Sequence, residues 1–194
     1  MSDNGLPRAY IASLGKRENP QFSTLEKRTG KNNPVRPDQF VRIFEACVEG
    51  AVYSLTYVPP GFDYSSSEEN ECQLHVNVRS DAFPGNGSDV MSEDPVAAVI
   101  KLKEGCLPQL EHWAEQLALM TLEAKESIRR ERVICETWFS FTLGTSIYLF
   151  AYMQPCHFLP EAEKGSLPLE VDAIHGKFKQ AWDKTVKIPV RLLA

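Results

Sequence analysis

The chain has 194 residues, 43% hydrophobic and 24% charged, the make-up of an ordinary globular protein long enough for one large domain or two small ones. Its net charge of −5 and the lack of any Lys/Arg stripe interleaved with aromatics exclude a phosphate-tracking nucleic-acid groove. No apolar run reaches the roughly 18 residues a membrane span needs. The N-terminus, MSDNGLPRAY, lacks the basic-then-apolar order of a secretory signal, so a cytoplasmic protein with no membrane partner is expected.

Thiols stay reduced in that compartment. The five cysteines, Cys47, Cys72, Cys106, Cys135 and Cys156, form no C-x-x-C pair, which argues against both a disulfide framework and a structural zinc site. Most of them read as small buried hydrophobes. There is no P-loop, dinucleotide fingerprint, Gly-x-Ser-x-Gly elbow or catalytic Cys/His signature, and His75, His112 and His157 are scattered. Neither a cofactor nor a metal is expected.

PRAYIASLG opens the chain as a strand, and the polar stretch from 15 to 36 reads as a solvated arm rather than an RNA-binding one. PDQFVRIFEACVEG places Phe40, Ile43, Phe44, Cys47 and Val48 at helical spacing, with Pro37 suited to a first turn and Gly50 to an end. AVYSLTYVP and ECQLHVNV follow as a strand pair around the acidic SSSEENE (65–71), expected to be a mobile loop. This β-α-β-β order leaves two alternatives, a diverged copy of the second half or an unrelated extension. FPGNGSDVMSEDP, residues 83–95, collects turn formers and reads as a linker between residues 1–82 and 96–194.

Beyond it, PVAAVIKLK alternates Val96, Ala98, Ile100 and Leu102 as a strand does. A helix is expected near 107–129, where Leu110, Trp113, Leu117, Ala124 and Ile128 share a stripe. VICETWFSFTLGTSIYLFAYMQP reads as a hairpin turning at Gly144-Thr145. A second helix is expected near 169–185 on Val171, Ile174, Phe178 and Trp182, and KIPVRLLA closes the chain as a strand whose proline suits an edge. The resulting β-α-β-β-α-β order predicts an α+β, ferredoxin-like split β-α-β domain with both helices on one sheet face. In the first hairpin strand, Val133, Cys135, Thr137, Phe139 and Phe141 read as the face under the helices. Ile134, Glu136, Trp138 and Ser140 then belong to the opposite face, to be covered by residues 1–82 or by another subunit.

KLKEG, the helix with His112-Trp113, RRERVICETWFSF, YLFAYMQP and DAIHGKFKQAWD together resemble a bacterial family of small uncharacterised proteins with the ferredoxin-like, dimeric α/β-barrel architecture, over roughly residues 96–194. The resemblance matches Glu136-Thr137 to that family's glutamate and small hydroxyl residue, and His175 to a histidine early in its last helix. Trp138 departs from it, standing where a smaller apolar residue is usual, and CHFLPEAEKGSLP fits it poorly. It implies a homodimer, or an internal pseudo-dimer if the first half is a tandem copy, with Glu136, Trp138 and Tyr152 on the wall of a space that could hold a small molecule. The architecture hosts oxygenases, mutarotases and plain binding modules alike, so it does not choose a function.

Each candidate has two readings. His175 lies at the edge of a helical stripe, so it is either a structural histidine bonded to backbone or, with Glu136, one half of a catalytic acid–base pair with a raised imidazole pKa. Glu136 either forms that pair or meets Arg129 or Arg132. Trp138 and Tyr152 are core or interface aromatics, or they bind substrate, while Trp113 and Trp182 read as helix packing. Two functions remain open: a non-catalytic interaction or small-ligand-binding module, and a cofactor-independent enzyme. A cavity of a few hundred cubic ångströms beside these residues favours an enzyme or small-molecule binder, and a filled sheet interface with the side chains packed flat favours an interaction module.

Overall fold

The computed structural model of the chain describes residues 5–15, 41–62, 64, 69–80, 94–156 and 167–193. Nine strands and three α-helices occur among them, and the strands divide into two antiparallel sheets. The expected loop residues 65–68, most of the linker, the basic arm from 16 and the insert from 157 to 166 lie outside the described residues.

The first sheet, A, is built mostly from the N-terminal half. It contains β1 (Arg8–Gly15), β2 (Arg42–Val48), β3 (Ala51–Val58) and the two-residue β4 (Asn70–Glu71), joined by β9 (Val190–Leu192) from the far end of the chain. Its order is β4-β1-β3-β2-β9. The second, B, runs β5-β7-β8-β6, from β5 (Gln73–Arg79), β6 (Val96–Lys101), β7 (Val133–Leu143) and β8 (Ser146–Pro155). The helices are α1 (Leu107–Leu119), α2 (Thr121–Arg130) and α3 (Glu170–Phe178), the last continued by a 3-10 turn at Lys179–Ala181.

The expected ferredoxin-like fold is therefore overturned in favour of a β-rich one with two stacked sheets. Its fourth strand is missing from sheet B because Pro189 intervenes. Ile188 bridges Val99 of β6, but beyond the proline β9 pairs with β2, placing Phe44 opposite Leu192. A proline has no N–H to continue a ladder along β6. The first half supplies β5 to the opposite edge of sheet B instead, pairing Val78 with Glu136.

Residues 37–50 were expected to be a helix, and 42–48 are strand β2. Phe44, Ala46 and Val48 are buried at alternate positions, a period of two that the apolar residues between them disguise. Glu49-Gly50 is then a two-residue hairpin turn with φ of 50° and 80°, not a helix end. Without that helix there is no β-α-β-β repeat, and the tandem copy and internal pseudo-dimer fall with it. The helix expected over 107–129 breaks at Met120, and the one expected over 169–185 ends at Phe178. The 107–129 stripe keeps its register through the break, from Leu117 to Ala124, so periodicity alone did not reveal it.

The long hairpin of β7 and β8 is the centre of the molecule, in register from Leu143–Ser146 back to Glu136–Met153 around Gly144, whose φ is 59°. Its two faces are assigned the other way round from expectation. Cys135, Phe139, Phe141, Tyr148, Phe150 and Tyr152 pack against Ala9, Ile11, Phe44, Leu55 and Tyr57 of sheet A. Trp138, Leu149 and Ala151 pack under the helices with Leu110, Trp113, Ile128, Ile174 and Phe178. The more apolar set meets the other sheet, where no polar group would find water, and the mixed set meets the helices. Residues of the 1–82 segment thus cover one face of sheet B within the same chain.

The inter-sheet core is aromatic: Tyr57 and Tyr152 stack with centroids 3.8 Å apart and planes 8° from parallel. Tyr148 Oη also donates to Glu49 at 2.6 Å and Lys101 Nζ to the same carboxylate at 2.7 Å, tying the β2–β3 turn to sheet B. Tyr152→Ala is expected to lower stability by about 3–5 kcal/mol in urea unfolding, the usual cost of emptying a large aromatic site. A loss below about 1 kcal/mol would show that the sheets do not pack this way.

Candidate functional site

The space between sheet B and its helices is not filled. Across the sheet, Ala98 of β6 pairs with Ala151 of β8, which pairs with Trp138 of β7. Two alanines side by side leave a hollow next to the indole, because neither has a side chain long enough to reach the helices. The neighbouring rung carries Met153 and Glu136, with Val78 beyond. Overhead, Trp113 and Leu117 of α1, Ala124 and Ile128 of α2, and Val171 and His175 of α3 complete a cavity of about 390 Å³. Ser127, Glu131, Asp172, Lys179 and Trp182 also line it.

Glu136, Trp138 and His175 are therefore brought together by three different elements. Tyr152 is not: it points to the other face of sheet B, where burial raises its phenol and its hydroxyl donates to Gln154 at 3.2 Å. Trp113 and Trp182, read from the pattern as packing, line the cavity too. Trp182 follows the 3-10 turn and bridges Leu102 at the end of β6, which fixes it at the cavity's edge. All three tryptophans of the chain thus meet in one place. The rings form a continuous cluster, with Trp113–Trp138 centroids at 5.3 Å and His175 at 5.5, 5.8 and 6.1 Å from Trp113, Trp138 and Trp182.

The polar contacts inside are few. Trp138 Nε1 donates to Glu136 Oε1 at 2.8 Å. Arg129, the alternative partner for Glu136, is held by Glu126 at 2.6 Å instead. Among the described residues no hydrogen bond or ion pair joins Glu136 to His175. Burial raises the Glu136 carboxyl above its ordinary value; the Trp138 bond opposes this, Glu131 adds to it and Lys179 counters it. Burial also pushes the His175 imidazole down to about 4, helped by Lys179 and opposed by Asp172. The expected raised pKa is thus reversed, because desolvation of the ring outweighs the attraction of any carboxylate in reach.

Two indole nitrogens are unaccounted for. Trp113 Nε1 and Trp182 Nε1 are buried without a hydrogen-bond partner. A donor left so costs about 1–3 kcal/mol. Among the described residues no group of three His, Cys, Asp or Glu side chains is arranged to hold a metal ion.

The depressed His175 pKa makes stability pH-dependent. The unfolded ring titrates near 6.5 and the folded one near 4, so between these values the unfolded state binds more protons. Stability should fall as pH drops through that window. His75 is lowered by burial in the same sense, so the informative quantity is the difference between wild type and His175→Asn. The variant is expected to lose less stability on acidification from pH ~6.5 to ~4. Parallel curves would mean that the imidazole is not desolvated.

A family of unknown function, DUF6176, matches residues 96–192, half of the chain, and the chain belongs to that family. No curated protein and no solved structure matches it. The matched half contains both helical layers of the cavity and all of sheet B except β5. Among the described residues no helix is long and apolar enough to cross a membrane.

Proposed function

We propose that this member of the family is a small-ligand-binding protein whose site is the cavity between sheet B and the helices. The observation that carries the reading is a half-open space of about 390 Å³ walled by three indoles, Trp113, Trp138 and Trp182. That volume lies in the range of small-molecule sites, which are mostly apolar with a few convergent polar groups. A core evolved only for stability would fill the gap above Ala98 and Ala151, since interiors pack closely and a void forfeits dispersion contacts. The ligand supported by this wall is compact and mostly apolar.

A cofactor-independent enzyme is a second reading, favoured by one observation. Glu136 and a His175 ring that burial keeps neutral line the same cavity, so one could donate and the other accept a proton. Binding comes first in either case.

Since every tryptophan lines the cavity, intrinsic fluorescence reports on it alone. In a screen of compact apolar compounds, binders are expected to change that fluorescence and raise the melting temperature together, because a ligand of the folded state stabilises it. Ala151→Leu, which extends a side chain into the hollow, should abolish both responses at a stability cost of about 1–3 kcal/mol. Binding that survives Ala151→Leu unchanged, or no binder at all, would contradict the reading.

A further inference from the structure

We propose that the ligand is a small organic cation, an ammonium group on a compact apolar body. The inference rests on the reading of the cavity as a ligand site and adds its charge.

Three features of the wall point to it. The first is unpaired negative charge. Glu136 in the interior and Glu131 at the mouth both line the cavity, and neither meets a basic side chain in a hydrogen bond or ion pair among the described residues. Glu136 Oε1 accepts from Trp138, and among the described residues no hydrogen bond reaches its second oxygen. Asp172, also at the mouth, is held by the Ser127 hydroxyl at 2.6 Å, a neutral partner. Partial desolvation raises the carboxyls of both glutamates and neighbouring carboxylates add to it, Glu131 acting on Glu136 and Asp172 on Glu131, while Lys179 opposes the shift in each. A cation among them relieves that repulsion and replaces a missing donor. Lys179 is the one basic side chain on the wall, against three carboxylates.

The second feature is the aromatic lining. The faces of tryptophans are the strongest π partners for an ammonium. The chain itself displays this preference at the site, where Lys179 Nζ stands 5.7 Å over the Trp182 ring. The third is the hollow above Ala98 and Ala151, which favours a compact body beside the charge over a long one. An anion is disfavoured: it would face Glu131, Glu136 and Asp172 with one lysine to offset them.

Three probes of one shape but different charge test the proposal by calorimetry and tryptophan fluorescence on the full chain: tyramine, para-propylphenol and the corresponding phenylpropionate. Tyramine is expected to bind at least about tenfold more tightly than para-propylphenol, a gap of about 1.4 kcal/mol, with the propionate weakest. Glu136→Gln should erase the preference for tyramine over the phenol while leaving the phenol within about twofold. Glu131→Gln, at an exposed position with little bearing on folding, should reduce the preference partly, so the test survives if the interior variant folds poorly. If the phenol binds in an Ala151→Leu-sensitive way and tyramine gains nothing over it, the cation is wrong and the ligand site stands. If the preference persists in both glutamine variants, the carboxylates are not its origin and the proposal is overturned. If no probe of any charge binds, both this inference and the reading beneath it fall.

Discussion

Everything in this molecule depends on the β7–β8 hairpin being buried on both faces. A sheet with one face in water needs only a single apolar set of side chains, whereas this hairpin must satisfy two. Toward sheet A it presents Phe139, Phe141, Tyr148, Phe150 and Tyr152 with the buried polar Thr137 and Gln154, the two phenols reaching Glu49 and Gln154. Toward the helices it presents a mixed set in which Trp138 and Glu136 satisfy each other across two residues of the same strand. The glutamate can stay in that layer because the indole donates to it, which offsets part of the cost of burying the carboxyl. The puzzle of a carboxylate inside an apolar strand thus resolves locally, without an arginine.

The same constraint explains what was legible. Strands in the second half carry strong signals, since alternation in PVAAVIKLK and a glycine turn between two apolar runs admit few other structures. The helix stripes on Leu110, Trp113 and Leu117 and on Val171, Ile174 and Phe178 are similarly plain. The N-terminal half was misread where period two and period 3.6 coincide. Phe40, Ile43, Phe44, Cys47 and Val48 fit a helix, while Phe44, Ala46 and Val48 fit a strand, and only tertiary pairing with β3 and β9 decides. The hairpin faces were inverted because both are apolar enough to bury, and sequence carries no record of which layer each one meets.

For the site, the two titratable residues and Trp138 were visible as oddities against their patterns. Tyr152 was misplaced because it pairs with Thr137, between Glu136 and Trp138, and successive residues of one strand point to opposite faces. Trp113 and Trp182 were missed because an indole on a core stripe looks the same whether its ring meets another side chain or a hollow. The signal that could have found the cavity is the alanine pair: Ala98 and Ala151 sit at sheet-interior positions that usually hold larger residues. Small residues matter here for what they leave open, and that becomes visible only once β6 and β8 are known to be neighbours.

The central claim is that the Glu136/Trp138 face of the hairpin lies under the helices, beside a hollow, and that its other face meets sheet A. Ring-to-ring proton NOEs test it most directly. The account predicts cross-peaks from the Trp138 indole to Trp113 and to His175, whose centroids lie 5.3 and 5.8 Å away, and from Tyr152 to Tyr57 at 3.8 Å. Cross-peaks from Trp138 to Tyr57 or Phe44, with none to the helix aromatics, would contradict it and remove the cavity along with the faces.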